Sequence, residues 1–181
     1  MVSKGGRIKA LKIITNFLFW LVVSVEAILS IIFFGPKLFG IETYVVASGS
    51  MTPKYPVGSL VYVQPTAPSD IQVGDAISFH FADDLVATHE VRENNQTDQY
   101  FRTQGINNRD ENGDVIPDAA PVPYDEVIGK VIFSLPFLGV IYQHIKANLV
   151  VYFALAIIIT FMLKLVSEKV KHNDVEGQND K

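Results

Sequence analysis

The feature that most limits how this chain can fold is the run from Ile13 to Phe34, 22 residues in which Glu26 is the single ionisable side chain. Wound as a helix at about 1.5 Å per residue, such a run reaches across a hydrocarbon layer of about 30 Å. It is longer than the apolar core of a cleavable signal peptide, and 35-GPKLFG-40 follows it instead of a small-residue cleavage site. The run is therefore expected to persist as a transmembrane helix over 13–34. A second run, 147-ANLVVYFALAIIITFMLKLV-166, carries no charge from Ala147 to Leu163 and is read as a second span. Lys4, Arg7, Lys9 and Lys12 precede the first run, and Lys164, Lys169 and Lys171 close or follow the second. The preference of flanking cations for the cytoplasmic side then places the tails 1–12 and 167–181 inside and the segment 35–146 outside. That segment holds 7 Lys and Arg against 14 Asp and Glu, a net charge of −7.

With 181 residues the chain has room for one moderate domain plus these anchors. Cysteine is absent, which excludes a thiol nucleophile, a disulfide framework and a cysteine-bound metal. A net charge of −4 with no basic run in the middle of the chain argues against nucleic-acid binding. Between the anchors, 59-SLVYVQP-65, 75-DAISFHF-81, 85-LVATHEVRE-93, 100-YFRTQG-105 and 126-EVIGKVIFSL-135 have strand composition. Val73-Gly74-Asp75, Asp83-Asp84 and Asn107-Asn108 read as the turns between them. No useful helical period appears there, so the outer domain is expected to be mainly β. The polar tail 172-HNDVEGQNDK-181 is expected to be disordered.

Chemistry is suggested first by 48-SGSMTP-53. Stretches of Ser, Gly and Pro are often ordinary turns, but here Gly49 permits unusual backbone angles, Pro53 fixes the exit and Met51 can pin the loop into a core. Ser50 would then be presented at a fixed angle. A serine hydroxyl is a poor nucleophile without a base and without donors for the oxyanion. The outer domain offers His80, His89 and His144 as bases, or a lysine; His172 falls in the cytoplasmic tail. Strand alternation puts His89 on one face with Leu85, Ala87 and Val91, and puts His80 on the face opposite Ile77, Phe79 and Phe81. A third group to orient the imidazole can come from 110-DENGDVIPD-118, through Asp110, Glu111, Asp114 or Asp118. The same loop has the alternating oxygens of a calcium loop, but Gly113 is misplaced and Pro121 stands where the closing Glu belongs. No metal or other cofactor is expected. Asn95-Gln96-Thr97 is a formal glycosylation triplet, and Glu26 in the first span can pair with a partner subunit.

Four ordered blocks resemble type I signal peptidases, specifically their serine-histidine branch of archaea, the endoplasmic reticulum and some Gram-positive bacteria. They are 48-SGSMTP-53 with 57-VGSLVYV-63, then 73-VGDAISF-79, then 88-THEV-91, and last 103-TQGINN-108 with 121-PVPYDEVIGKV-131 and 135-LPFLG-139. The resemblance covers roughly residues 40 to 140. It implies a coiled β-barrel domain, a Ser50 nucleophile, a His89 general base, and the Ser50 amide and Ser48 hydroxyl as oxyanion donors. Because the acid of that branch usually stands shortly before a segment similar to 121-PVPY-124, the resemblance implies Asp118 in that role, with Asp110 and Asp114 open because the loop is longer than usual. The implied activity is removal of signal peptides from exported preproteins at a membrane surface, with small residues before the cut. The family block usually reads T-K-G-D-x-N, and Ile106 replaces its aspartate here. A weakened or inactive homologue serving as a membrane-anchored assembly protein is thus the alternative.

Overall fold

The computed structural model describes residues 4–82 and 85–179, so the Asp83-Asp84 turn lies outside the described residues. The chain divides into two units, residues 33–146 and the flanking segments 1–32 and 147–181.

In the flanking unit, helix α1 spans Lys4–Phe34 and helix α3 spans Leu149–Asn179. Within them and the turn that follows α1, the windows Ala10–Phe39 and Leu149–Lys169 are each long and apolar enough to cross a membrane. Their side chains lie open, among them Phe17, Trp20, Ile31, Val150 and Ile157. An apolar surface of that extent is costly in water and matched by lipid. The backbone of the polar tail, expected to be disordered, is instead helical as far as Asn179.

The other unit is an antiparallel sheet of eight strands: β1 Glu42–Val45, β2 Leu60–Gln64, β3 Ala76–Ala82, β4 Leu85–Asn95, β5 Tyr100–Arg109, β6 Val115–Pro117, β7 Val122–Pro123 and β8 Val127–Leu135. The hydrogen-bonded path runs β1-β2-β8-β3-β4-β5-β6, with β7 pairing to β5. Strand β3 sits centrally, and its first four residues, 76–79, are buried on both faces while His80, Phe81 and Ala82 emerge from the core. Ile77 and Phe79 join Ile71, Val91, Phe101 and Val122 in one apolar cluster, while Ala76 joins Met51, Val61, Val63 and Val131 in another. Side-chain alternation puts these clusters on opposite sides of β3. Ser78 shares the Ala76 side and is fully buried, its hydroxyl satisfied by Thr88 across the β3–β4 pair at 2.8 Å.

The domain is mainly β, and it also contains a helix not expected from the sequence, α2 at Leu138–Ala147, too short for its period to be read there. It begins just after Phe137, whose φ is 63°, and seats its first turn through the Gly139 N–H on Gly58 O at 2.9 Å. A side chain at Gly139 would lie 2.6 Å from Gly58 O and 2.8 Å from Ser59 O, so only glycine permits this approach. The turn expected at Asn107-Asn108 is a correction: these residues form no turn, and β5 continues through them to Arg109, with irregular pairing to β6 between Gln104 and Arg109.

Candidate active site

Ser50 lies in the turn region between β1 and β2 and is anchored from both sides. Met51, 2% exposed, pins the loop into the Val61–Val63 cluster. From β5, the Asn107 N–H donates to Ser50 O at 2.8 Å and the Asn107 Nδ2 donates to Gly49 O at 3.0 Å. β5 can come this close because residue 105 is glycine: a Cβ there would stand 2.8 Å from Ser50 Cβ.

His89 is held by β4, where it pairs with Ile77 of β3 and its ring meets Phe79 edge-on at 6.2 Å between centroids. Its Nε2 lies 3.2 Å from Ser50 Oγ, and its Nδ1 lies 2.6 Å from Asp118 Oδ2. His80 points outward from β3 and is exposed, and His144 belongs to α2. Of the three histidines within residues 33–146, His89 is the one that reaches Ser50.

The loop after β5 divides its carboxylates between two tasks. Asp110 closes the turn: its Oδ1 accepts from the N–H groups of Asn112 and Asp114, both at 2.9 Å. Four residues beyond Asp114 the chain returns to β5, where the Asp118 N–H donates to Thr103 O at 2.9 Å and brings the carboxylate to His89. Asp118 Oδ2 also accepts from Thr103 Oγ1 at 2.6 Å. Partial burial opposes ionisation of Asp118, but the hydrogen bonds from His89 and Thr103 and the charge of the imidazolium outweigh it and hold its pKa below the usual carboxylate value. Among the described residues no group of carboxylates and histidines is arranged to hold a metal ion.

An ionised Asp118 makes His89 Nδ1 the donor, which leaves the lone pair of Nε2 facing the Ser50 hydroxyl. This arrangement can take the hydroxyl proton and stabilise the imidazolium that results. Ser48 Oγ stands 3.2 Å from Ser50 Oγ. A cleft of about 790 Å³ opens at the row, and Tyr44, Val46, Phe79, Val86, Ala87 and Val122 form much of its apolar wall.

Three residues of the site had no role assigned from sequence: Thr103, Gly105 and Asn107. They alternate along β5, so they share the face that meets Asp118, Ser50 and the Gly49 carbonyl in turn. The signal in the sequence was the period-2 pattern Thr-x-Gly-x-Asn, legible only once this segment is known to be a strand.

A hydroxyl, an imidazole and a carboxylate thus stand in one row on an antiparallel sheet, the set of groups that serine-dependent acyl transfer requires. No family model matches the chain. It is similar to signal peptidase I W of Bacillus subtilis (strain 168), with 28% identity over 137 residues that cover 70% of this chain and 69% of that protein. This distant likeness supports kinship with signal-peptide-cleaving peptidases at the level of the family, and with the two apolar helices it supports membrane association.

Proposed function

We propose that this protein is a membrane-anchored serine endopeptidase of the signal-peptidase kind, which removes N-terminal signal peptides from exported preproteins. The observation that carries this reading is the row Ser50–His89–Asp118, with separations of 3.2 Å and 2.6 Å. Ser50 Oγ attacks the scissile carbonyl carbon while His89 Nε2 takes its proton. The Ser50 N–H and the Ser48 hydroxyl donate to the oxyanion. Collapse of the tetrahedral adduct breaks the C–N bond as the imidazolium returns the proton to the leaving amine. Water then attacks the acyl-enzyme with His89 again as base, releasing the signal peptide's new carboxyl terminus and regenerating Ser50.

In this reading both tails are cytoplasmic and residues 35–146 face the outer or luminal side, as the Lys and Arg flanks favour. The sheet is taken as the signal-peptidase-like coiled barrel, and no cofactor takes part. Ser50, separated from Phe34 by 15 residues, acts in this reading on the cut site of a bilayer-held signal peptide where that site emerges from the membrane. The apolar wall of the cleft suits small side chains such as Ala before the cut, presented on an extended substrate. Membrane lipid is the other partner, and Glu26 in the first span offers a polar contact for a partner subunit.

The test is cleavage of a preprotein with an Ala-x-Ala site by the detergent-solubilised protein, with Ser50→Ala and His89→Ala alongside. Cleavage lost in both folded variants is the expected result. Undiminished cleavage by Ser50→Ala sinks the proposal.

A further inference from the structure

We propose that Thr103 is a positioning residue of this site, holding Asp118 in the rotamer that His89 requires. The inference rests on the catalytic reading above. Thr103 is fully buried on β5, and it grips Asp118 at both ends. Its carbonyl accepts the Asp118 N–H at 2.9 Å, and its hydroxyl donates to Asp118 Oδ2 at 2.6 Å. The same carboxylate oxygen accepts from His89 Nδ1 at 2.6 Å. Asp118 follows the three-residue strand β6, and its side chain is 22% exposed. A carboxylate in that setting has free rotation about χ2 and water as a competitor unless a second donor fixes it. The Thr103 hydroxyl is that donor.

Burial makes the assignment specific. A β-branched residue suits the strand position whatever its polarity, so shape alone is met equally by Val. Valine would leave the carboxylate oxygen one donor short, and a hydrogen bond to an ionised group carries more free energy than a neutral one. The hydroxyl therefore acts on Asp118, and through Asp118 on the imidazole; it does not touch Ser50 or the peptide being cut.

The experiment uses the full chain in detergent and a preprotein with an Ala-x-Ala site. Thr103→Val is expected to lower kcat about ten- to a hundredfold with KM unchanged. Thr103→Ser, which keeps the hydroxyl, is expected to recover most of that loss. In the Asp118→Ala background Thr103→Val is expected to add nothing, because the group it acts through is gone. A similar fold-loss in both backgrounds, or a Ser variant as poor as Val, overturns the proposal. So does a Thr103→Val variant within twofold of the parent.

A second readout does not depend on turnover. The proton between His89 Nδ1 and Asp118 is expected as a downfield proton resonance that vanishes in His89→Ala. It should move or broaden in Thr103→Val and return in Thr103→Ser. An unchanged resonance in Thr103→Val overturns the proposal even if the parent cleaves nothing. Retained cleavage in Ser50→Ala, by contrast, strikes the peptidase reading and leaves the Thr103–Asp118 contact to be judged by the resonance.

Discussion

Replacing Gly105 with alanine adds one methyl group at the closest approach between β5 and the nucleophile loop. The new Cβ would lie 2.6 Å from Asn108 Nδ2 and 2.8 Å from Ser50 Cβ. Ordinary carbon contacts sit at about 3.5–4.0 Å, so each neighbour must retreat by about 1 Å. Asn108 is an exposed side chain and can swing away at little cost. Ser50 has less freedom, because its carbonyl is bound to the Asn107 N–H and Met51 beside it is buried. Part of the shift must fall on Ser50, whose Oγ stands 3.2 Å from His89 Nε2. A misplacement on this scale costs about 10²-fold in rate, equivalent to about 2.7 kcal/mol in the barrier. Overpacking of this kind costs about 1–3 kcal/mol in stability. The assay is kcat/KM for preprotein cleavage beside the melting temperature in the same detergent. Gly105→Ala with activity within twofold of the parent refutes the reasoning. So does recovery of activity in Gly105→Ala with Asn108→Ala, because the second change relieves only the Asn108 contact and leaves Ser50 displaced.

Asn107→Ala removes the bond to Gly49 O but keeps the backbone bond to Ser50 O, so kcat should fall about two- to tenfold; a larger fall in stability than in kcat counts against a positioning role. Asp118 has a folded pKa below its unfolded value of about 3.9, so the stability it contributes is fully present above about pH 4 and is lost as pH falls through the folded pKa. Asp118→Asn should therefore lose less melting temperature than the parent between about pH 5 and pH 2.5, and an equal loss refutes the linkage. The same variant should lower kcat on the order of 10⁴-fold, read from single-turnover cleavage. Phe101 is fully buried and its ring lies 4.8 Å from that of Tyr124, so Phe101→Ala should cost about 3–5 kcal/mol in denaturant titration.

The long strands were legible because their β-branched and aromatic runs carry the period of a half-buried sheet. Alternation placed His89 on the face of the fully buried Val91, but it does not explain His80: Ala76 and Ser78 on the same face are buried and Phe81 beside it is exposed, so His80 is open because the end of β3 leaves the core. Strands β1, β6 and β7 have four, three and two residues, too few to show a period. They exist because longer neighbours supply their hydrogen-bond partners. Helix α2 was missed for a related reason, since a ten-residue helix docked through Gly139 needs little apolar stripe of its own. In the acidic loop, composition cannot rank Asp110, Asp114 and Asp118, which are chemically alike. Their roles separate through the backbone, which spends Asp110 on its own turn and returns Asp118 to Thr103 O. The face of β5 behind the nucleophile was hidden for the same reason, because Gly105 and Asn107 acquire meaning only from the loop they press against.

Ile106 is the residue that argues most directly for an inactive homologue, and its place on β5 bears on that argument. Thr103, Gly105 and Asn107 contact Asp118, Ser50 and Gly49 O from one side of the strand. Ile106, on the alternate side, packs against the cluster of Met51, Val61 and Val63. The carboxylate that orients His89 comes from Asp118, so a second one at position 106 would have no part in the proton path and would sit instead in apolar surroundings under the loop of Ser50. Ile106→Asp is thus expected to lower stability by about 1–3 kcal/mol without raising kcat, as burial of an unpaired polar group requires. A tenfold rise in kcat for Ile106→Asp, measured on the same preprotein, would show that Ile106 is a lesion in the site. An unchanged or reduced kcat with a lower melting temperature assigns Ile106 to packing, and the proton path then stands on Ser50, His89 and Asp118.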